Sequence, residues 1–266
     1  MEVHSHTHTA DPDSHRGRKK WTHYLWEFLM LFLAVFCGFL AENQREHYVE
    51  NIRAKDYARS LLNDMREDTG ELRRGIHQTK FIMSSIDSVV SMASAISTNE
   101  PVPGKFYYHS KFIFNGFRID WSKSTIDQLI QSGNLRYFRN KDLIGAIQFY
   151  YYMQGIISEQ NQMDLAHRDR VIEFRNRILK GRYYSVFASL NIVKEEQAHV
   201  PSPQIDSLMN TKLPLQEEAL QYMDEYINHI ADRKWRLDLI TKRYYSIADE
   251  IAIDIINLLK EDFHFK

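Results

Sequence analysis

"HYLWEFLMLFLAVFCGFLAEN", His23 to Asn43, is the stretch from which the architecture follows. Phe28 to Ala41 carries no charge. As a helix, Trp21 to Ala41 would span about 31 Å at about 1.5 Å per residue, enough to cross the hydrocarbon core of a bilayer. Trp21, Tyr24 and Trp26 cluster at its front edge, where interfacial aromatics sit. Arg16, Arg18, Lys19 and Lys20 stand before it; Glu42, Arg45 and Glu46 stand behind it, and the next basic residue is Arg53. The positive-inside rule then divides the chain into a polar cytosolic tail (1–20), a membrane helix (21–41) and an outer region (42–266). A cleaved signal peptide fits poorly, because Phe39-Leu40-Ala41 lacks the small residue three back from a cut. A lipoprotein site at Cys37 fits poorly too, since bulky Phe36 precedes it. A buried core helix is the remaining alternative.

Glu27 opens this apolar run. At 100° per residue, Glu27, Leu31, Ala34, Gly38 and Ala41 fall within about 40° of one line, with Lys20 and His23 on the same line. Phe28, Phe32, Val35, Phe36 and Phe39 face elsewhere. Small residues at this spacing let two helices approach closely in lipid, and ionisable groups in membranes face protein. Glu27 therefore marks a candidate helix-packing face, within a homo-oligomer or against another membrane protein. Two other readings stay open: Glu27 reaches the headgroups and pairs with His23 or Lys20, or it takes part in proton coupling.

The chain has 266 residues, 44% hydrophobic, with net charge −1. That balance offers no basic field for nucleic acid. Its six prolines and ten glycines are few for this length and favour long helices. With Cys37 as the single cysteine, an intramolecular disulfide and a cysteine metal cluster are excluded.

Beyond the membrane run, apolar residues recur at three and four: Leu61, Met65, Leu72, Ile76, Met83, Ile86, Val90 and Ala93. This predicts one helix running out of the membrane as a stalk to about Ile96, with Gly70 and Gly75 as places to bend and "STNEPVPG" (97–104) as its end. "FYYHSKFIFNGFRIDW" (106–121) carries an Asn115-Gly116 hairpin signal between apolar runs, so a hairpin or an irregular aromatic segment is expected. Ser124 or Thr125 should cap a short helix that stops at Gly133, and Asn140 a long one lasting to about Lys180. Residues 181–213 read as mixed, with a loop at "HVPSPQ" (199–204). Pro214 should open a last helix with the stripe Leu220, Met223, Ile227, Ile230, Leu237, Tyr244, Ile251, Ile255 and Leu258, interrupted by Lys234. The expected fold is all-α: a transmembrane helix continuing into an elongated bundle of three long helices and one short one.

No phosphate-binding glycine loop, nucleophile elbow or cysteine nucleophile outside the apolar run is present in the sequence. His4, His6 and His8 alternate in the tail, and in an extended chain they could hold Zn²⁺, Cu²⁺ or Ni²⁺, though no carboxylate or rigid scaffold supports them. Glu196-x-x-His199 has di-iron spacing but no second copy; Asp164-x-x-His167 is its nearest echo and reads better as an ion pair or polar core contact. Tyr150-Tyr151-Tyr152 should give core aromatics and one surface tyrosine. "RNRILKGR" and "KEDFHFK" read as solvated ends.

"STIDQLIQSGNLRYFRNKDLIGAIQFYY", Ser124 to Tyr151, resembles a segment of a family of uncharacterised bacterial single-pass membrane proteins, classed only as a domain of unknown function. The residues that carry it are Leu129, Ser132, Gly133, Asn134 and Leu135, then Asn140, Lys141, Tyr150 and Tyr151. Glu27 and "AENQRE" (41–46) match the family's membrane run and exit, although the tryptophan many members carry at that exit is missing here. The resemblance implies a bacterial inner-membrane location with 42–266 periplasmic, and brings no activity. In physical terms Ser132-Gly133-Asn134 and Asn140 form a structural corner between two helices. The expectation is a scaffold or interaction protein rather than an enzyme, with no cofactor and with the lipid bilayer and a second copy or another membrane protein as partners. The alternative is a ligand-sensing module that works through a separate chain.

Overall fold

The computed structural model describes residues 16–188, 190 and 202–265, and the side chains from residue 21 onward. The chain is all-α and divides into two compact units, Met1–Ala54 and Lys55–Lys266. Helix α1, Arg16–Ala93, contributes residues to both. Gly70 and Gly75, expected as bends, sit inside helical residues. In the first unit, every side chain from Trp21 to Tyr48 is exposed. Among the described residues α1 is the one helix long and apolar enough to cross a membrane.

The second unit is built on three long helical stretches: the part of α1 from Lys55 on, α4 (Lys141–Ile178), and α7 (Ala219–Leu239) continuing through a π-helical turn (Ile240–Tyr245) into α8 (Ser246–Phe263). Short helices α2 (Gly104–Phe112), α3 (Ser124–Gln131), α5 (Gly181–Ala188) and α6 (Pro203–Met209) fill between them, so the one short helix expected becomes four. Two two-residue strands, β1 (Val102–Pro103) and β2 (Lys212–Leu213), pair antiparallel. Of the stripe predicted for α1, Leu61, Met65, Leu72, Ile86 and Ala93 are buried and Ile76, Met83 and Val90 half-buried.

The apolar interior falls into two clusters. One gathers the end of α1 with α2, the second half of α4, α5 and α7, through Ile86, Phe106, Phe112, Phe174 and Tyr226. The other gathers Leu61 and Leu72 of α1 with α3, the first half of α4 and α8, through Ile126, Ile147 and Ile255.

Three sequence expectations change. Phe106 to Phe112 is helix α2, with an irregular strap from Ile113 to Lys123, and there is no hairpin. Its aromatic composition suits strands, but Phe106, Tyr107, Tyr108, Ser110 and Phe112 are buried on several faces at once, so tertiary burial overrides propensity and leaves no period to read. A Cβ at Gly104 would stand 1.8 Å from the Leu208 carbonyl oxygen, so the start of α2 needs glycine. Pro214 does not open the last helix, which begins at Ala219. The Pro214 carbonyl accepts a 2.7 Å bond from the Tyr107 hydroxyl, which in turn accepts from the Lys180 backbone N–H at 2.9 Å. Finally, α3 starts at Ser124 with no side-chain cap.

Candidate functional site

The inward face of α4 repeats at three and four: Leu143, Ile147, Tyr150, Gln154, Ile157, Asn161, Asp164, Arg168, Val171, Phe174 and Ile178. Its middle turns are polar, and they meet charged residues from the other long helices.

Arg233 of α7 is wholly buried. Its Nε and Nη2 donate to the two Asp164 carboxylate oxygens at 2.9 Å each, and Nη2 also donates to the Asn115 carbonyl at 2.7 Å. Asp164 and Arg233 thus form a two-pronged charge-assisted pair. Arg168 adds a second cation, with Nε 3.8 Å from Asp164. Its Nη1 donates to the Phe114 carbonyl at 3.4 Å, while Nε finds no acceptor. Burial pulls the Arg168 guanidinium below its ordinary value. Asn115-Gly116, a turn signal in the sequence, serves here as a seat: a Cβ at Gly116 would come within 2.8 Å of Arg168 Nη1. Tyr245 lies nearby, its hydroxyl donating to Asn161 at 2.9 Å and its ionisation pushed up to about 12 by burial.

Asp68 of α1 holds the other end of the strap. One carboxylate oxygen accepts from the Ser122 backbone N–H at 2.8 Å. The other accepts from the Tyr150 hydroxyl at 2.8 Å and from Gln154 at 3.2 Å. Burial holds its carboxyl above the usual carboxylate range against these bonds, and burial raises Asp64 one turn earlier. Tyr150 is raised as well, first by burial and then by the Asp68 charge. The strap is therefore tied at Phe114–Asn115 by two arginines and at Ser122 by an aspartate. Between these ties Gly116 to Trp121, with Lys123 beyond them, line a cleft of about 710 Å³ whose other wall is Ser158, Asn161, Gln162, Asp164, Leu165 and Arg168 of α4.

Residues singled out from sequence are distributed as follows. Glu27 Oε1 lies 3.2 Å from His23 Nε2, one turn away, and both are exposed. Leu31, Ala34, Gly38 and Ala41 are exposed, and a Cβ at Gly38 would meet nothing within 4 Å. Gly133 takes φ +68, the left-handed conformation that suits glycine. Ser132 bonds the Gln128 carbonyl through its hydroxyl. Asn134 donates to the Tyr57 hydroxyl at 2.9 Å. Asn140 Oδ1 accepts from the N–H groups of Asp142 and Leu143, and its amide donates to Asp262 at 3.1 Å. Asp164 is a polar core residue; burial lowers the ionisation of His167. Tyr150 is buried, but Tyr151 and Tyr152 are both exposed, one more than expected. "RNRILKGR" is no solvated end: the Arg175 guanidinium lies over Phe114 at 4.4 Å and over Tyr184 at 4.3 Å, and Ile178 and Leu179 are buried. In "KEDFHFK", Phe263 meets the edge of Phe138 at 5.9 Å. His4, His6, His8, Glu196 and His199 lie outside the described residues. Among the described residues no group of three or more His, Cys, Asp or Glu is placed to hold a metal ion.

Arg233, Asp68 and Arg168 were missed by sequence reading. Arg233 falls between Ile230 and Leu237 at core spacing, and Asp68 falls between Met65 and Leu72 likewise. A charge at the centre of an apolar stripe was the available signal. Comparison of the chain with family models, curated proteins and solved structures finds no match to any of them.

Proposed function

We propose that the protein is a single-pass, membrane-anchored helical module that acts as a structural or interaction scaffold. In this reading the segment 21–41 spans a bacterial inner membrane, the basic tail lies in the cytosol, and residues 42–266 form a periplasmic helical domain. The observation that carries it is the N-terminal part of α1, apolar through Phe28–Ala41 and exposed at every described side chain. An apolar face of this size left open in water would drive aggregation, whereas in lipid it is at rest. Glu27, Leu31, Ala34, Gly38 and Ala41 form the seam along which this helix pairs with a second copy or with another membrane protein. Glu27 rests on His23 in the single chain, and a partner helix takes the place of solvent around that pair.

The test is in-membrane cross-linking of wild type beside Glu27→Leu, with the adducts identified by mass spectrometry. Self-linked species that disappear in the variant are the expected result. Cross-linking that is identical in the two removes the seam, and recovery of the wild-type protein in the soluble fraction removes the anchor. A ligand-sensing role is the second reading, and the cleft beneath the strap is the observation that favours it.

A further inference from the structure

Arg168 is under-used. A guanidinium offers five N–H donors, and this one makes a single long hydrogen bond, to the Phe114 carbonyl at 3.4 Å. Its nearest anion, Asp164, is already engaged by both prongs of Arg233. The cleft it lines carries two further cations, Arg118 and Lys123, against Asp120, which takes Arg118 at 3.0 Å. Lys123 is exposed and engages no carboxylate. Glu67 and Asp68 approach the strap at Ser122, which does not line the cleft. Positive charge is therefore left over on the cleft side. Phe117, Ile119, Trp121 and Leu165 supply flat and aliphatic walls, and Ser158, Asn161 and Gln162 supply neutral hydrogen-bonding groups. A volume of about 710 Å³ lies within the span of small-molecule sites. An apolar cleft with a few convergent polar groups and one unspent guanidinium suits a compact anion with a flat body.

We propose that the cleft between the strap 116–123 and the 158–168 turns of α4 binds a small organic anion, an aromatic carboxylate or phosphate. Arg168 grips its acidic group, Lys123 screens it, and Trp121 and Phe117 cover its ring. The proposal holds whether or not the scaffold reading does. Binding would also act on the strap, because Phe114 and Asn115 hang from Arg168 and Arg233, and an anion that recruits Arg168 loosens one of the two ties at that end.

The experiment is titration calorimetry on the full chain in lipid nanodiscs with benzoate, phenyl phosphate and benzyl alcohol, with tryptophan fluorescence recorded in parallel. Probes this small bind in the millimolar range, about 1 mM at best. The expected result is saturable one-site binding of benzoate or phenyl phosphate, with none for benzyl alcohol. Which of the two anions binds tighter tells a carboxylate site from a phosphate site. Binding should weaken about tenfold or more in Arg168→Gln, weaken with added salt, and lose its fluorescence response in Trp121→Phe. If neither anion saturates, if benzyl alcohol binds as well as the anions, or if Arg168→Gln binds as well as wild type, the proposal is overturned. Should Arg168→Gln fail to fold, Lys123→Glu decides: this exposed side chain is outside the packed interior, and an unchanged anion affinity in that variant overturns the site.

Discussion

Replacing Asp164 by leucine would strand Arg233 inside the bundle. The guanidinium is wholly buried and would keep one acceptor, the Asn115 carbonyl at 2.7 Å, in place of three bonds. Arg168, 3.8 Å from the same carboxylate, would then face it as a like charge with no anion between them. Breaking a buried pair by removing one partner costs about 3–5 kcal/mol, and the second arginine puts this case near the top of that range. The reverse change, Arg233→Met, fills the space of the arginine stem and leaves Asp164 with Arg168 beside it, so about 2 kcal/mol is expected. The double variant leaves no unmatched pair member and should also sit about 2 kcal/mol below wild type, because replacing a whole buried ion pair by apolar groups is near neutral. Separate losses of about 5 and 2 kcal/mol would sum to about 7, so the cycle should give a coupling of about 5 kcal/mol. Guanidinium unfolding of the full chain in detergent micelles, followed by circular dichroism at 222 nm, measures all four corners. Losses that simply add in the double variant, or a larger loss for Arg233→Met than for Asp164→Leu, would refute the reasoning.

Four further outcomes are expected. Asp68 has a folded-state value above its ordinary 3.8, so the native state binds its proton more tightly than the unfolded chain. Stability from this group is fully present below that ordinary value and falls as pH rises through the raised one. Asp68→Asn should remove that part of the decline between acid and neutral pH, and Gln154 Oε1, now without a donor, can receive the new amide; an unchanged difference between the two pH curves contradicts it. Gly70→Ala, with nothing within 4 Å of the new Cβ, should stabilise by about 1 kcal/mol in thermal melts. Gly75→Ala should show less gain or a loss, because its Cβ would sit 2.7 Å from the Phe117 ring. Gly104→Ala, pressed on the backbone oxygen of Leu208, should cost about 3 kcal/mol or more and show as lost expression or a lowered melting point. Asn140→Ala should cost about 1 kcal/mol by removing the cap of α4, and a melt equal to wild type would count against that cap.

What the sequence disclosed were the features that act locally. A 3.6 period shows in α1 because that helix buries one face, and Asn140 and Gly133 announce a start and a stop through their own backbone chemistry. Helix α2 was hidden because it is buried on several sides, so composition was the only cue and it pointed to strands. Asn115-Gly116 misled for a related reason: the glycine makes room for a side chain from α4, a contact between residues far apart in the chain. The candidate site was the least legible. Arg233 and Asp68 sit at apolar positions of otherwise regular stripes, and their partners come from other helices. The interruption visible in the last stripe was instead Lys234, the neighbour of Arg233, which reaches outward to Asp87 at 2.5 Å.

The π-helical turn at Ile240–Tyr245 constrains length more tightly than identity. Buried positions step through Ala219, Met223, Tyr226, Ile230, Arg233 and Leu237, then Thr241 and Tyr245, then Ala248, Ala252, Ile255 and Leu259. The two consecutive four-residue steps across the turn absorb one extra residue, which lets α7 serve one apolar cluster and α8 the other, each in its own phase. Lys242 and Arg243 within the turn are exposed and free to vary. Deleting either would restore an ordinary helix and rotate everything downstream by about 100°, swinging Ala252, Ile255 and Leu259 away from α1 and α4. The turn thus keeps the reading frame of the last helix: this part of the chain can drift in sequence, but it cannot lose or gain a residue.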